Sequence, residues 1–354
     1  MTTTTAVSAA NIAATASHQT QSSPTSKAMR AVTQDRYGDS SVLAVTDIAR
    51  PTIAADEVLV EVRAAAIDRG TEHLMTGLPW LIRIAGFGLR RPKQPVLGLD
   101  VAGVVREVGA NVTRLQVGDE VFGIASGSIA EFAAAKETKL AHKPAGVTFE
   151  QAAASTVSGI AALQALTDVG GLVAGQRVLV IGASGGVGTF AVQLARVLGA
   201  TVDGVAGARN RELVESLGAD TVYDHNVTEL EDIDQRYDLI LDIGGRNSVR
   251  RIRRLLTDDG TLVLVGGEGG NRVTGGIGRQ VRAAMRSPFL RHRMKMFIST
   301  EHHDFIDRLA VHLASGQVAP HIGGRFPLDR AIDAVQMLEA GMSQGKTVIE
   351  VSHG

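Results

Sequence analysis

The chain contains no cysteine among its 354 residues. That absence excludes disulfides, a thiolate nucleophile and any cysteine-ligated zinc or iron–sulfur centre. Aromatic residues are scarce and only one tryptophan, Trp80, is present. No run approaches the roughly 18 uncharged apolar residues of a membrane span. Excess charge is missing too: 36 basic against 37 acidic side chains give a net charge of −1, so no global field draws nucleic acid or an anionic membrane. Glycine, by contrast, is abundant at 40 residues, which implies many tight turns or close backbone approaches.

The N-terminal MTTTTAVSAANIAATASHQTQSSPTSKAMR has neither an early basic segment nor a long apolar core, so it does not resemble a secretory signal. It shares the Ala/Ser/Thr richness of transit peptides, yet its only basic side chains, Lys27 and Arg30, come at its end. A disordered tail over residues 1–28, a fold starting near Met29 and a cytoplasmic location are expected; Met29 is an alternative start.

Beyond the tail, Met29–Leu43 and Glu57–Ile67 carry the β-branched, apolar texture of strands. Pro95–Ala135 holds short apolar runs punctuated by six glycines, as an antiparallel barrel-like unit requires. From Thr148 the texture becomes helical, and then strand, glycine turn and helix recur: VLVIGASGGVG into TFAVQLARVLG, TVDGVAG into RNRELVESLG, DLILDIGG into SVRRIRRLL, and TLVLVGG. This alternation predicts a mostly parallel, doubly wound sheet. Leu328–Ala340 is expected as a helix, followed by a Gly-Lys turn and a closing strand.

A lone G-x-G-x-x-G is a weak signal, but here Val178–Ile181 supplies the strand before it and Thr189–Leu198 the apolar helical face after it. Gly185 lets backbone N–H groups approach a pyrophosphate, a helix beginning near Gly188 adds its N-terminal partial charge, and Gly188 lets helix and strand pack closely. Ala183 stands where the first glycine usually sits; Ser184, Gly186 and Val187 complete the turn. Twenty residues past the glycines an acid would grip a ribose 2′-hydroxyl. Instead the strand ends in Ala206 and Gly207, with Arg209 two residues on, which suits the extra phosphate of NADPH. Asp203 is the competing, NAD-type reading, placed early inside the strand.

GASGGVG, GLDVAGVV, VGDEVFG and GKTVIEV together resemble the medium-chain dehydrogenase/reductase superfamily, in its zinc-free quinone oxidoreductase-like and enone reductase branch. The resemblance runs from about Met29 to Val351. It implies an α/β protein with a GroES-like β-barrel-type catalytic domain (29–152, completed by about 320–354), an inserted Rossmann NADP-binding domain (153–319), a cleft between them, and a homodimer. Zinc-dependent relatives place a cysteine where this chain has Asp68 and a histidine where it has Leu99, so the resemblance implies no catalytic metal. Asp68, Arg69 and Thr71 also replace the Asn, Pro and Asp of the branch's Asn-Pro-x-Asp stretch, and Ala161 replaces a threonine near the nicotinamide. The EHHD cluster, Glu301–Asp304, has metal-ligand chemistry, but its place at a helix start suits a solvated surface.

Without a metal, the implied chemistry is hydride delivery from NADPH to a quinone or an α,β-unsaturated carbonyl, with a small hydrophobic substrate and no nucleic-acid partner. Arg69 or Thr71 would donate to the developing oxyanion, and His73 would relay a proton. Each has an alternative role: Arg69 pairing with Asp68, Thr71 capping the following helix, His73 facing solvent. The insertion LPWLIRIAGFGLRRPKQP lines a hydrophobic pocket, packs the cleft wall or makes a subunit contact. The basic run Arg279–Lys295 is expected as an amphipathic surface helix. Two further functions stay open, an alcohol dehydrogenase or aldehyde reductase, and a non-catalytic NADPH-binding sensor or structural protein.

Overall fold

The structure is a computed structural model that describes residues 28–267, 270–287 and 291–352. The expected tail, 1–28, lies outside the described residues except for Ala28. In chain order the strands and helices are β1 (Ala28–Gln34), β2 (Leu43–Ala49), β3 (Glu57–Ile67), α1 (Arg69–Thr76), the single turn α2 (Trp80–Ile82), β4 (Asp100–Val108), β5 (Glu120–Ile124), β6 (Phe132–Lys136) and β7 (Leu140–His142). Then follow α3 (Phe149–Gln164), β8 (Arg177–Ile181), α4 (Gly186–Val197), β9 (Thr201–Ala206), α5 (Arg211–Ser216), β10 (Thr221–Asp224), β11 (Tyr237–Asp242), α6 (Val249–Arg253) and β12 (Leu256–Leu264). The chain continues through α7 (Ile277–Arg286), β13 (Arg293–Met296), α8 (His303–Ala314), β14 (Ile322–Pro327), α9 (Ala331–Glu339) and β15 (Lys346–Glu350).

Two sheets carry the architecture. One is a parallel sheet in the order β10-β9-β8-β11-β12-β13. Numbered from β8, this is the 3-2-1-4-5-6 order of a doubly wound dinucleotide fold, whose ligand crevice opens where the winding reverses, between β8 and β11. The other is a largely antiparallel sheet, β14-β15-β3-β4-β5-β7, with β6 also paired to β3. The closing strand β15 pairs with β3, Thr347 opposite Ile67, so the C-terminus returns to the sheet built by the first part of the chain. The expected strand Met29–Leu43 is shorter than its apolar texture suggested: β1 ends at Gln34, and a turn through Asp39, whose side chain caps the backbone at Ser41, leads into β2.

Helix α3 joins the two units. Thr148 and Gln151 form its capping box, satisfying orphan N–H groups at its start. Its alanines are buried, and they pack against β3, β4, β5 and β15 on one side and α4 and α8 on the other. Small side chains permit that double burial; a Cβ on Gly159 would lie 2.6 Å from Leu309 Cδ2. The 152/153 boundary expected from the sequence falls inside this continuous helix.

Candidate functional site

At the end of β8 the chain turns through Gly182, whose φ of 91° is a left-handed conformation that favours glycine. Ala183 is fully buried where a first glycine would sit. Gly185 is the N-cap of α4 and the helix starts at Gly186, two residues before the expected Gly188. The N–H groups of Gly186, Val187 and Gly188 thus fall in the first helical turn, where no intrahelical acceptor exists. A Cβ on Gly185 would meet only the Gly182 carbonyl, at 3.6 Å, whereas one on Gly188 would collide with that carbonyl. An open surface above Gly185 with N–H groups at a helix start fits a pyrophosphate, and Gly188 serves helix–strand packing.

The turn is braced from a distant segment. Ser184 Oγ accepts from Asn210 Nδ2 at 3.0 Å, and Gln344 Nε2 donates to Asn210 Oδ1 at 2.7 Å. The Gly345 N–H donates to the Ser184 carbonyl at 3.0 Å. At the end of β9, Ala206 is buried and Gly207 half-buried. Arg209 is exposed and donates one bond to the Gly341 carbonyl at 2.7 Å, leaving its other guanidinium donors available. His225 and Asn226 adjoin this point, since a Cβ on Gly207 would lie 3.2 Å from His225 Cε1. Asp203, the NAD-type alternative, faces inward: it accepts from the Tyr237 hydroxyl at 2.9 Å and pairs with Arg177 at 3.4 Å.

Beneath the glycine turn lies a buried ionic cluster. Lys346 has no exposed surface, and its Nζ donates at 2.7 Å to Asp68 Oδ2 and at 2.7 Å to Asp100 Oδ2. Asp68 also accepts from Ser158 Oγ at 3.3 Å and from the Gly70 N–H at 2.9 Å, and Asp100 accepts from the Val157 N–H at 2.7 Å. A Cβ on Gly186 would sit 2.9 Å from Ser158 Oγ and 3.1 Å from Lys346 Cδ. The cluster therefore touches both the antiparallel sheet and the turn that suits a pyrophosphate.

Burial would raise Asp68, but the Lys346 ammonium and the N–H groups of Thr71 and Gly70 hold it below the usual carboxylate range. Asp100, more deeply enclosed, is pushed up to about 6 by burial, with the Asp68 charge adding to the rise and Lys346 opposing it. Lys346 is lowered by burial, yet its two carboxylates outweigh that and raise it. A buried lysine between two acids stays charged because either alternative strands a carboxylate.

The other sequence-predicted residues are placed less centrally. Thr71 is buried and caps α1: the Asp68 N–H donates to its hydroxyl at 3.4 Å. Arg69 pairs with Glu72, not with Asp68. His73 is half-buried on the same helix. Leu99 lines an apolar pocket of about 50 Å³ with Leu74, Phe87 and Leu97. Ala161 is buried on α3, one turn beyond Ser158. In the EHHD cluster, His302, His303 and Asp304 bring ligand atoms within 4.8 Å of one another. They also serve the start of α8, where His302 caps the helix and His303 meets Asp307 at 3.2 Å. Lys346 and Asp100, which lie inside the GKTVIEV and GLDVAGVV stretches, have no role legible in the sequence alone; the signal for each is a charge inside an apolar run, which needs a buried partner.

A doubly wound sheet with an N–H-lined glycine turn, joined through helix α3 to a second sheet that holds a buried ion cluster, is the architecture of a two-unit dinucleotide-dependent oxidoreductase. The chain belongs to the medium-chain dehydrogenase/reductase superfamily. Residues 54–199 match the alcohol dehydrogenase GroES-like domain and residues 217–349 the zinc-binding dehydrogenase family. It is 32% identical to the 2-methylene-furan-3-one reductase of Solanum lycopersicum, over 97% of this chain and 84% of the relative. It is 33% identical to a chloroplastic NADPH-dependent alkenal/one oxidoreductase of Arabidopsis thaliana, over 91% of this chain and 80% of the relative. The solved quinone oxidoreductase of Coxiella burnetii superposes with a TM-score of 0.80 at 26% identity, covering 92% of this chain and all of that one.

Proposed function

We propose that the chain is an NADPH-dependent, metal-independent reductase of quinones or α,β-unsaturated carbonyls. The observation that carries this reading is an N–H-lined glycine turn at a helix start, together with non-ligating uses for Asp68 and Leu99, the positions where zinc-dependent relatives place metal ligands. Asp68 is engaged by Lys346, Ser158 and the α1 backbone, and Leu99 lines an apolar pocket. The names of the relatives support the substrate class and the cofactor.

In this reading Ser184, Gly185, Gly186, Val187 and Gly188 hold the pyrophosphate, with Ala183 packed beneath them. Gly207 leaves room for a 2′-phosphate that Arg209 neutralises. Bound NADPH supplies a hydride for the β-carbon of an enone or for a quinone. Asp68, held ionised by Lys346, is a positioning residue: it caps α1 and so fixes the turns that carry Arg69, Thr71 and His73. Arg69 donates to the oxygen on which charge grows, Thr71 adds its hydroxyl, and His73 passes the proton that completes the addition.

The proposed unit boundaries are 29–152 with 320–354 and 153–319, the proposed assembly is a homodimer, and the proposed setting is the cytoplasm. The edge position of β13, with exposed Met296 at its end and exposed Ile298 just beyond, supports self-association. Among the described residues no helix is long and apolar enough to cross a membrane.

The test is NADPH oxidation against a panel of quinones and enones, repeated after exhaustive chelation. Turnover that survives chelation, in protein free of stoichiometric zinc, supports the proposal. Loss of activity with the metal would instead favour the alcohol dehydrogenase reading, and tight NADPH binding without turnover would favour a sensor.

A further inference from the structure

Residues 77–99 contain no aspartate or glutamate. Their middle part, 80–87, forms a helical turn whose base is tied to the 271–275 loop: the Trp80 N–H donates to the Arg272 carbonyl at 2.8 Å and the Leu81 N–H to the Val273 carbonyl at 3.0 Å. On the inner side the Tyr37 hydroxyl donates to the carbonyls of Phe87 and Gly88 at 2.9 and 2.7 Å. Arg83 also turns inward. Its guanidinium donates to the Gly77 and Thr76 carbonyls and lies 4.3 Å from the centre of the Tyr37 ring. The cation within the turn is thus withdrawn from the outer face.

What remains outside is apolar: Trp80 is 48% exposed, Ile84 71%, Phe87 47% and Leu89 69%. Directly beyond stand Arg90, Arg91 and Lys93, all exposed, and the tethering loop adds exposed Arg272 and Val273. Among the described residues these four cations have no carboxylate partner. Phe87 lines, together with Leu99, the small apolar pocket beside this lip.

We propose that this lip docks on an anionic lipid bilayer. Trp80, Leu81, Ile84 and Leu89 enter the headgroup region while Arg90, Arg91, Lys93 and Arg272 meet the lipid phosphates. A cluster of large exposed apolar side chains marks a contact surface. An apolar ridge rimmed by unpaired cations, with tryptophan at its base, is the pattern that lies in a membrane interface rather than crossing it. A second copy of the chain is a poorer occupant, because a two-fold contact apposes the same patch on both subunits and would bring together cations that have no carboxylate partner among the described residues. Docking would open the Phe87–Leu99 pocket toward the bilayer, so the substrate would be a quinone or enone dissolved in lipid. That clause rests on the reductase reading; the docking itself does not.

The experiment is cosedimentation of the full chain with vesicles of phosphatidylcholine alone and with vesicles rich in phosphatidylglycerol. Binding is expected only to the anionic vesicles and is reversed by salt. The Arg90→Glu/Arg91→Glu/Lys93→Glu variant is expected to lose affinity on the order of 100-fold, and Ile84→Ser/Leu89→Ser to lose it without changing the salt dependence. Both variants should retain the circular dichroism of the parent and its oxidation of NADPH with a water-soluble quinone. Equal binding to neutral vesicles, no binding to either kind, or a change in oligomeric state in place of vesicle binding overturns the proposal. Failure to oxidise NADPH with any acceptor, beside intact vesicle binding, overturns the reductase reading and leaves the docking standing.

Discussion

Lys346 Nζ lies 2.7 Å from Asp100 Oδ2, with the lysine fully buried and the Asp100 side chain only 2% exposed. The two residues are 246 positions apart in sequence, and the contact stitches β15 to β4 directly beneath the glycine turn. Asp68, where the resembled branch carries asparagine, adds a second carboxylate to the same ammonium. The cluster is a structural joint on which the proposed cofactor and substrate elements both rest.

Replacing Lys346 by methionine keeps its apolar stem but leaves two buried carboxylates without their cation. Such removal of one partner costs about 3–5 kcal/mol, and urea unfolding should register it. The triple variant Lys346→Met/Asp68→Asn/Asp100→Asn should recover most of that loss, because no uncompensated charge remains. A single variant as stable as the parent would remove the cluster from the account.

Asp100 predicts a pH dependence of definite sign. Its folded-state pKa, about 6, lies above the ordinary carboxylate value, so between about pH 4 and pH 6 the native state holds a proton that the unfolded chain has released. Its contribution to stability therefore falls as pH rises through that window and is level above it. Asp68, held low, behaves oppositely, and its contribution is lost as pH falls below the usual carboxylate range. Unfolding free energies of the parent relative to Asp100→Asn, measured from pH 4 to pH 8, should decline to pH 6 and then stay flat. A difference that rises over that interval contradicts the placement.

Much of the fold was legible because its signals are local. Glu57–Ile67 shows its apolar run within eleven residues, and strand, glycines and helix of GASGGVG are adjacent in the chain, so both were readable. The extent of β1 was not, because the turn at Asp39 depends on a side-chain cap within an otherwise apolar, β-branched texture. The ion cluster was hidden for a different reason: Asp68, Asp100 and Lys346 meet only through strand pairing and helix α3. Asp68 was singled out by position, but its partner lies 278 residues away. Ser158, Asn210 and Gln344 are ordinary polar residues until the fold brings them to the turn. The alternative role for Arg69, pairing with Asp68, is not the one the fold provides: one helical turn offers it Glu72, while Lys346 satisfies the acid.

Gly188→Ala tests the close packing at the glycine turn between β8 and α4. The added methyl must displace the Gly182 carbonyl, so the variant should lose NADPH binding by fluorescence titration, with a fall in stability of about 1–3 kcal/mol. The same change at Gly185 meets little protein and should weaken cofactor binding while sparing stability. Equal stability losses at both positions would contradict the separate roles given to the two glycines.

Arg209→Ala addresses the extra phosphate. A lost charge-assisted bond costs about 1.5–3 kcal/mol, so the affinity for NADPH should fall roughly 10- to 100-fold while that for NADH stays nearly constant. Titration of both cofactors against the variant reads the ratio directly. An equal drop for both would assign Arg209 only to its bond with Gly341.

The most direct test of the proposed reductase is a comparison of initial rates of NADPH and NADH oxidation by the chelated, zinc-free protein across a series of quinones and enones. The proposed function predicts turnover with NADPH, weaker turnover with NADH, and no dependence on added zinc. Absence of NADPH oxidation with every acceptor, or activity that appears only with zinc, would contradict it.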